Sequence, residues 1–159
     1  MKPKAKLYIP HVFRSFQGFD VIDLKEYRLR QHLEIVLEKS PQRTHVCWRC
    51  DTVLGSMKDR YLVQAKHLRM MSWTVSVVFY REKRHCPSCK KTRSEKIEFL
   101  CPSSPHVTME LAWWLNRLTE ITSVLSVSKL QSVDKETCYQ VDKFILSHLH
   151  WRTGIYFVN

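Results

Sequence analysis

Glycine is scarce in this chain, with three residues among 159. A loop that holds a nucleotide phosphate by close approach of its backbone needs several glycines in one short stretch, so nucleotide binding of that kind is not expected. The sequence also contains no Ser-His-Asp set and no His-rich catalytic metal motif. The common enzyme motifs are therefore missing from these residues.

Long apolar runs are lacking as well. The longest, Met70 to Tyr80, is too short for a membrane span, and its residues alternate in character. The N-terminal residues Met1 to Lys6 are basic, but no apolar stretch of signal-peptide length follows them. We therefore expect an intracellular protein with no membrane partner, in which thiols stay reduced rather than forming disulfides.

Cysteine is present in two closely spaced pairs. Cys47 and Cys50 form one Cys-x-x-Cys pair, and Cys86 and Cys89 form the other, each beside strand-like sequence. Two intervening residues let a tight turn aim both sulfurs at one ion, and four thiolates fill a tetrahedral shell that leaves no position for water. The spacing predicts one structural zinc ion. A closed shell of this kind organises a fold rather than catalysing.

Other uses of these cysteines remain open. A redox pair is typically a lone Cys-x-x-Cys near a βαβ pattern, and neither pair has that context. His45 and His85 lie close enough in sequence to replace a sulfur ligand, and Cys101 is a spare thiol, although Cys101 and Cys138 are better explained as buried small apolar residues. The 35 residues between the two pairs exceed the usual interval of a zinc ribbon, so they must contain a hairpin that returns to the metal.

Strand-like alternation dominates the first hundred residues. Trp73, Val75, Val77 and Phe79 alternate with smaller or polar residues and lead to the second cysteine pair. Three further strands are expected, one at Arg60 to Lys66, one continuous strand from Tyr27 to Glu38, and a short one at Lys96 to Leu100. Together they predict a small antiparallel, zinc-ribbon-like β domain.

The chain changes character at the Pro- and Ser-rich stretch from Cys101 to Pro105, beyond which the apolar period is about 3.6. The predicted fold is therefore α+β, with a β-rich zinc-binding domain at 1–101, a linker at 102–105, a helix-turn-helix domain at 106–151 and a tail at 152–159. Thr108 is the expected N-cap of the first helix. Its predicted buried face consists of Leu111, Trp114, Leu115, Leu118, Ile121 and Leu125, with Trp113 beside it, and the tryptophans are expected as core anchors.

A short helix from Leu125 to Gln131, a turn at Ser132 and Val133, and a second helix capped by Asp134 are expected next. Val133 and Cys138 are placed as a hydrophobic staple. The buried stripe of the second helix is predicted as Cys138, Val141, Ile145 and Leu149. This order is typical of a helix-turn-helix, whose second helix enters the major groove. The outward residues, and so the candidate base contacts, are Lys135, Glu136, Thr137, Tyr139, Gln140 and Lys143. An ordinary three-helix bundle with a polar face is the alternative.

The net charge of +11 is unevenly distributed. Residues 1–101 hold 21 Lys and Arg against 10 Asp and Glu, whereas residues 102–159 hold 5 against 5. Because basic side chains release counterions from phosphate, this surplus indicates a nucleic-acid partner. Arg81, Lys83 and Arg84 are the candidate phosphate contacts. A solvated basic surface without a partner is the alternative.

The order of these features resembles the N-terminal part of bacterial insertion-sequence transposases of the ISL-three family, in which a zinc-binding domain precedes a helix-turn-helix and a catalytic domain. The resemblance runs from about Phe19 to Trp151. It rests on the pair at Cys47, on the strand from Trp73 that leads through Arg81-Glu-Lys-Arg-His85 to Cys86-Pro-Ser-Cys89, and on Val127 to Cys138.

The resemblance implies that the chain binds double-stranded DNA at the terminal inverted repeats of a mobile element, in the bacterial cytoplasm and associated with the nucleoid. Ser128 and Ser132 stand where the family pattern has a small Ala and a turn Gly, and Gln131 where it has an apolar residue. A serine in a left-handed turn is strained by about 1 kcal/mol. The three metal-holding carboxylates of the family's RNase-H-like domain are not matched, so no catalysis is expected of this chain. The alternative function is a protein-interaction or non-specific nucleic-acid-binding module, with homodimerisation through the tryptophan-rich face.

Overall fold

The computed structural model describes residues 16–152, and side chains as far as His148. This part of the chain forms a seven-stranded sheet and three helices. The strands are β1 (Phe19–Tyr27), β2 (His32–Lys39), β3 (Met57–Met70), β4 (Trp73–Cys86), β5 (Lys91–Ser94), β6 (Leu100–Cys101) and β7 (Ser104–Thr108). The helices are α1 (Met109–Thr119), α2 (Val124–Gln131) and α3 (Lys135–Arg152).

The sheet is mixed, in the order β1-β2-β4-β3-β7-β6, with β5 paired to the end of β4. The pairs β1–β2, β3–β4, β4–β5 and β6–β7 are antiparallel, whereas β2–β4 and β3–β7 are parallel. The predicted small antiparallel zinc-ribbon domain followed by a separate helix-turn-helix domain is therefore wrong. The architecture is mixed α/β. Strands that are distant in sequence pair in parallel, and the helices pack against the same sheet.

One face of the sheet carries the first core. Alternate residues of β3 and β4, including Val63, Ala65, Val77 and Phe79, are buried on this face, as the period of two predicts for a half-covered strand. Phe79 and Phe99 pack edge to face with ring centroids 5.2 Å apart, a favourable arrangement for aromatic pairs. The opposite face of β3 is largely exposed to solvent, whereas Ser76 and Val78 on the opposite face of β4 are buried as well.

Two strand predictions need correction. The expected continuous strand from Tyr27 to Glu38 is broken by a 3-10 turn at Arg28–Arg30, after which Gln31 adopts a left-handed conformation with φ 45°. Leu29 is fully exposed in that turn. The expected strand at Lys96 to Leu100 is instead a buried turn, in which the Leu100 N–H donates to the carbonyl of Ile97 over 3.2 Å.

Helix α1 starts where Thr108 accepts a hydrogen bond from the N–H of Leu111, as predicted for the cap. Leu111, Leu115 and Leu118 are buried against α2 and α3. The tryptophan prediction is wrong, because Trp113 and Trp114 are 41% and 47% exposed. Ile121 and Leu125 are also exposed. Helix α1 ends at Thr119, so Ile121 lies beyond it, and Leu125 belongs to α2.

Helices α2 and α3 are joined at Ser132, which has the left-handed φ of 53° expected of this turn. Asp134 caps α3 by accepting from the N–H of Thr137 over 2.8 Å. Val133, Cys138, Val141 and Ile145 are buried as predicted, whereas the side chain of Leu149 lies outside the described part.

The helices also contact the sheet. Helix α1 contacts β3, β6 and β7, and α3 contacts β7. The expected linker 102–105 forms the turn after β6 and the first residues of β7. Within residues 16–152, none of the helices is long and apolar enough to cross a membrane.

Candidate metal centre

The first cysteine pair lies in a small hairpin. Val46 and Val53 form an isolated antiparallel bridge, and the N–H of Cys47 donates to the carbonyl of Thr52 over 2.8 Å. Asp51, directly after Cys50, takes a left-handed φ of 54°, which aspartate tolerates better than most residues. We call this segment, Cys47 to Cys50, the first knuckle.

The second pair lies between antiparallel strands. Cys86 is the last residue of β4, and a tight turn with Lys90 at φ 52° leads into β5. The N–H of Cys89 donates to the Cys86 sulfur over 3.3 Å, which folds the turn around that sulfur. We call this segment, Cys86 to Cys89, the second knuckle.

Backbone hydrogen bonds hold the two knuckles together. The N–H of Gly55 donates to the carbonyl of His85 over 2.8 Å, and the N–H of His85 donates to the carbonyl of Ser56 over 3.0 Å. As a result the sulfurs of Cys47, Cys50, Cys86 and Cys89 all lie within 4.8 Å of one another. Cys50 Sγ is 3.5 Å from both Cys86 Sγ and Cys89 Sγ.

This geometry fits a four-sulfur metal site. A tetrahedral ion with metal–sulfur bonds of about 2.3 Å separates its sulfurs by roughly 3.8 Å, which falls inside the observed range. All six cysteines are free thiols, so the cluster is not a pair of disulfides. The four cysteines can therefore hold one metal ion, as their spacing predicts.

Thiol ionisation also favours a bound cation. Hydrogen bonds with the Thr52 side chain and backbone lower the pKa of the Cys50 thiol to about 6. The hydrogen bond with Cys50 raises the pKa of Cys89 to about 11, because adjacent sulfurs cannot all carry charge without a counterion. A divalent ion removes that conflict by binding every sulfur as thiolate.

The histidines beside the knuckles do not reach the sulfurs as ligands. His45 Nδ1 lies 2.7 Å from Glu95 Oε2, and His85 is exposed at the end of β4. Cys101 is buried with the helices, and its sulfur contacts Ser103 Oγ at 3.2 Å. Neither the spare thiol nor the histidines join the metal cluster.

Glu95 is a site residue that the sequence did not indicate. It is completely buried, its Oε1 lies 2.5 Å from Lys39 Nζ, and it accepts the N–H of Glu82 over 2.7 Å. It also forms a bridge with Cys47 through the backbone. Glu95 therefore ties β2 and β4 together through its carboxylate and joins the first knuckle through its backbone. Nothing in the run Ser94-Glu95-Lys96 distinguishes it from a solvent-exposed glutamate.

The predicted phosphate contacts on β4 divide into two kinds. Arg81 donates through Nε and Nη2 to the carbonyl of Glu95, and Arg84 donates to Glu82 Oε2 over 2.6 Å and to the carbonyl of Gly55. Both guanidinium groups therefore have structural partners. Lys83 is exposed, with its Nζ 5.3 Å from the Tyr61 ring centroid.

The predicted base contacts on α3 lie on its outer side. Lys135, Glu136, Tyr139, Gln140 and Lys143 are exposed and Thr137 is half-buried. Gln140 Nε2 donates to Glu136 Oε1 over 3.1 Å, one turn away on the same face. The four clustered cysteines and this helix face are built from different elements.

No protein-family model matches the chain, and neither the curated proteins nor the solved structures include a similar one.

Proposed function

We propose that the chain is a zinc-dependent DNA-binding protein, in which Cys47, Cys50, Cys86 and Cys89 hold one structural zinc ion. The observation that carries the proposal is the four-sulfur cluster on a strongly basic chain. Zinc suits four thiolates at tetrahedral spacing, and a closed sulfur shell favours a structural role.

Basic residues surround the knuckles. Arg49, Lys83, Lys90 and Lys91 are exposed there, and Lys91 is paired directly opposite Cys86 in the sheet. Since Arg81 and Arg84 have protein partners, these four side chains are the better phosphate contacts. Cations at the tip of a rigid metal-bound turn fit a phosphate backbone.

Helix α3 is the element that we expect to contact the DNA bases and so to recognise the DNA sequence. Its cap at Asp134, its exposed Lys135, Gln140 and Lys143 and its short connection to α2 suit a helix that enters the major groove. The resemblance to ISL-three transposases makes terminal inverted repeats the expected target. A chain with this role binds DNA for a catalytic domain and does no chemistry itself.

Selection of duplexes from a random-sequence pool, followed by affinity measurements at several salt concentrations, tests this proposal. One enriched sequence should bind more tightly than the starting pool. Lys83→Gln should weaken binding to every duplex and reduce the salt slope by about 1. Arg30→Gln removes the same charge at the opposite end of the sheet and should change neither quantity. Equal affinity for all duplexes rejects sequence recognition, and no binding at low salt rejects the proposal.

The exposed tryptophans favour a second candidate, a protein-interaction module that dimerises through α1. Trp114 lies beside Met71 and Leu130 in an apolar depression, a kind of surface that marks association sites. Sedimentation at several protein concentrations separates the two candidates. A monomer across the range contradicts this one.

A further inference from the structure

A polar cleft of about 340 Å³ lies on the exposed face of the sheet, where β2, β3 and β4 meet the turn between α2 and α3. Its walls include His32, Gln64, Lys66, Arg69, Ser76 and Gln131. The cleft is separate from the metal centre, because these residues occupy the opposite end of β3 and β4 from the knuckles.

The charge of the cleft has one sign. Lys66 and Arg69 are cationic, and none of the described residues that line the cleft is Asp or Glu. Two carboxylates lie outside the lining: Asp134 interacts with Lys66, and Glu34 stands opposite Ser76 in the sheet and interacts with Lys25. Asp134 is already engaged as the cap of α3, so the positive potential of the cleft is only partly offset.

The polar side chains of the cleft are held in fixed positions. Gln64 Nε2 donates to Ser76 Oγ over 3.0 Å, and Ser76 Oγ also lies 3.0 Å from His32 Nε2. His32 Nδ1 lies 2.8 Å from Thr74 Oγ1. Lys66 Nζ donates to the carbonyl of Ser132, which fixes the ammonium at the turn between the helices. A ligand therefore meets donors whose conformational freedom is already restricted.

Two polar atoms of the cleft lack partners. Arg69 donates through Nη1 to the carbonyl of Leu130 over 2.6 Å and through Nη2 to that of Ser72 over 3.0 Å, which fixes its guanidinium group. Its Nε and Gln131 Oε1 are buried, and neither has a hydrogen-bond partner within residues 16–152. The oxygen and nitrogen of a glutamine amide exchange places when the group turns by half a rotation, which puts a donor at the buried position of Gln131. Both atoms then call for an acceptor, and a buried donor without one is costly.

We propose that this cleft binds a phosphate group. The side chains of Lys66, Arg69 and Gln131 supply donors to its oxygens. Three histidines also line the cleft, His32, His67 and His106, but among the described residues only the four cysteines bring metal-ligating atoms close together, so a metal ion is not favoured here. The volume exceeds that of a bare phosphate ion and leaves room for an attached ester group. The phosphate comes either from a nucleic-acid backbone passing the α2–α3 turn or from a free phosphate ester.

Titration of the intact zinc-loaded chain with sodium phosphate at constant ionic strength tests the proposal, with NMR shifts of the Gln131 side-chain amide, which every variant below retains, as the readout. The shifts should saturate. Lys66→Gln should weaken binding by about tenfold or more, because it removes a charge-assisted donor. Lys129→Gln, which removes the same charge from an exposed position of α2 outside the cleft, should leave the affinity unchanged.

If Lys66→Gln does not fold, Gln64→Ala provides the second variant, since it releases Ser76 and His32 without removing a charge, and it too should weaken binding. Equal affinity of the Lys66 or Gln64 variant and the Lys129 variant, or shifts that do not saturate, overturns the proposal. Adding a random-sequence DNA duplex distinguishes the two sources of phosphate. If the cleft binds the nucleic-acid backbone, the duplex displaces the inorganic phosphate; if it binds a free phosphate ester, the inorganic phosphate stays bound. The phosphate titration uses no DNA, so its outcome is independent of DNA binding.

Discussion

Among single residues, His67 combines burial with a titratable ring. It is 7% exposed on β3, and its Nδ1 lies 2.8 Å from Thr108 Oγ1, the cap of α1. Burial lowers the pKa of His67 to about 4, because the charged ring would lose its hydration. The ring is therefore neutral at pH 7 and joins β3 to the start of the helices.

This lowered pKa predicts a pH dependence of stability. Between pH 6.5 and 4 the unfolded chain binds a proton at His67 that the folded chain does not, so the free energy of unfolding falls as the pH decreases through that window. The loss attributable to His67 is on the order of 3 kcal/mol. Urea unfolding at pH 7 and pH 4.5 measures it. His67→Gln should reduce the difference between the two pH values, whereas the exposed His106→Gln should not, and equal pH dependence of both variants contradicts this assignment.

Residue type and spacing predicted the cluster of four cysteines, which could hold a metal ion, because two short turns bring the four thiols together. The same reasoning failed for Glu95. Its burial depends on Lys39, Arg43 and His45, which reach it from parts of the chain about fifty residues away. A sequence pattern carries no sign of a carboxylate that is neutralised by such distant partners.

At the scale of elements, Glu95 links β2, the first knuckle and the start of the 95–99 segment through charged partners. Glu95→Gln should lower the free energy of unfolding by about 3 kcal/mol, since it leaves Lys39 buried with a weakened partner. Chemical denaturation at pH 7 gives the value. Glu98→Gln, which removes a partly exposed carboxylate that also pairs with Arg43, is the matched control and should cost about 1 kcal/mol or less. Similar losses in both variants would show that the buried network is not what joins these elements.

The connection between α2 and α3 contains a serine in an unfavourable backbone conformation. Ser132→Gly should raise the free energy of unfolding by about 0.5–1 kcal/mol, because glycine adopts a φ of 53° without strain. Ser126→Gly, at an exposed position inside α2, should lower it by a few tenths of a kcal/mol. Thermal unfolding of both variants checks the opposite signs. Destabilisation by Ser132→Gly would mean that the serine side chain stabilises the turn.

Periodicity predicted the main buried face of β3, β4 and α3, because alternation and helical spacing are properties of each element alone, but it did not predict that Ser76 and Val78 on the other face of β4 are also buried. It did not locate the ends of elements. The alternation from Tyr27 to Leu37 continues through the turn at Arg28–Arg30, where no glycine or proline marks a break. Trp114 has the spacing of a buried position on α1 but lies at its margin, which depends on the neighbouring helices rather than on the sequence of α1.

At the scale of the whole molecule, the order and direction of the strands in the sheet could not be predicted from sequence patterns. Strand β2 pairs with β4 in parallel from His32 to Val36, and β3 meets β7 in parallel at a single residue pair, Lys66 and Val107. Alternation indicates that a strand has one buried face but not which strand lies next to it. The observed sheet is therefore mixed, whereas the cysteine spacing had indicated an antiparallel zinc ribbon.

The four clustered cysteines lie at the end of the sheet where β4 pairs with β5, so loss of a metal ion bound there should affect the whole fold. Cys86→Ser should abolish zinc binding and cause loss of native structure, because metal-binding energy in such a site is folding energy. Zinc analysis and circular dichroism measure the two effects. Cys101→Ala changes an equally buried cysteine outside the cluster and should retain one zinc ion. A fully folded Cys86→Ser protein without metal would show that the ion is dispensable for folding.

X-ray absorption at the zinc edge of the purified, reduced chain tests the central claim most directly. We predict one zinc ion per chain, surrounded by four sulfur atoms at about 2.3 Å. A chain that binds no zinc when supplied with it, or zinc whose neighbours include nitrogen or oxygen in place of one of the four sulfurs, would contradict the account.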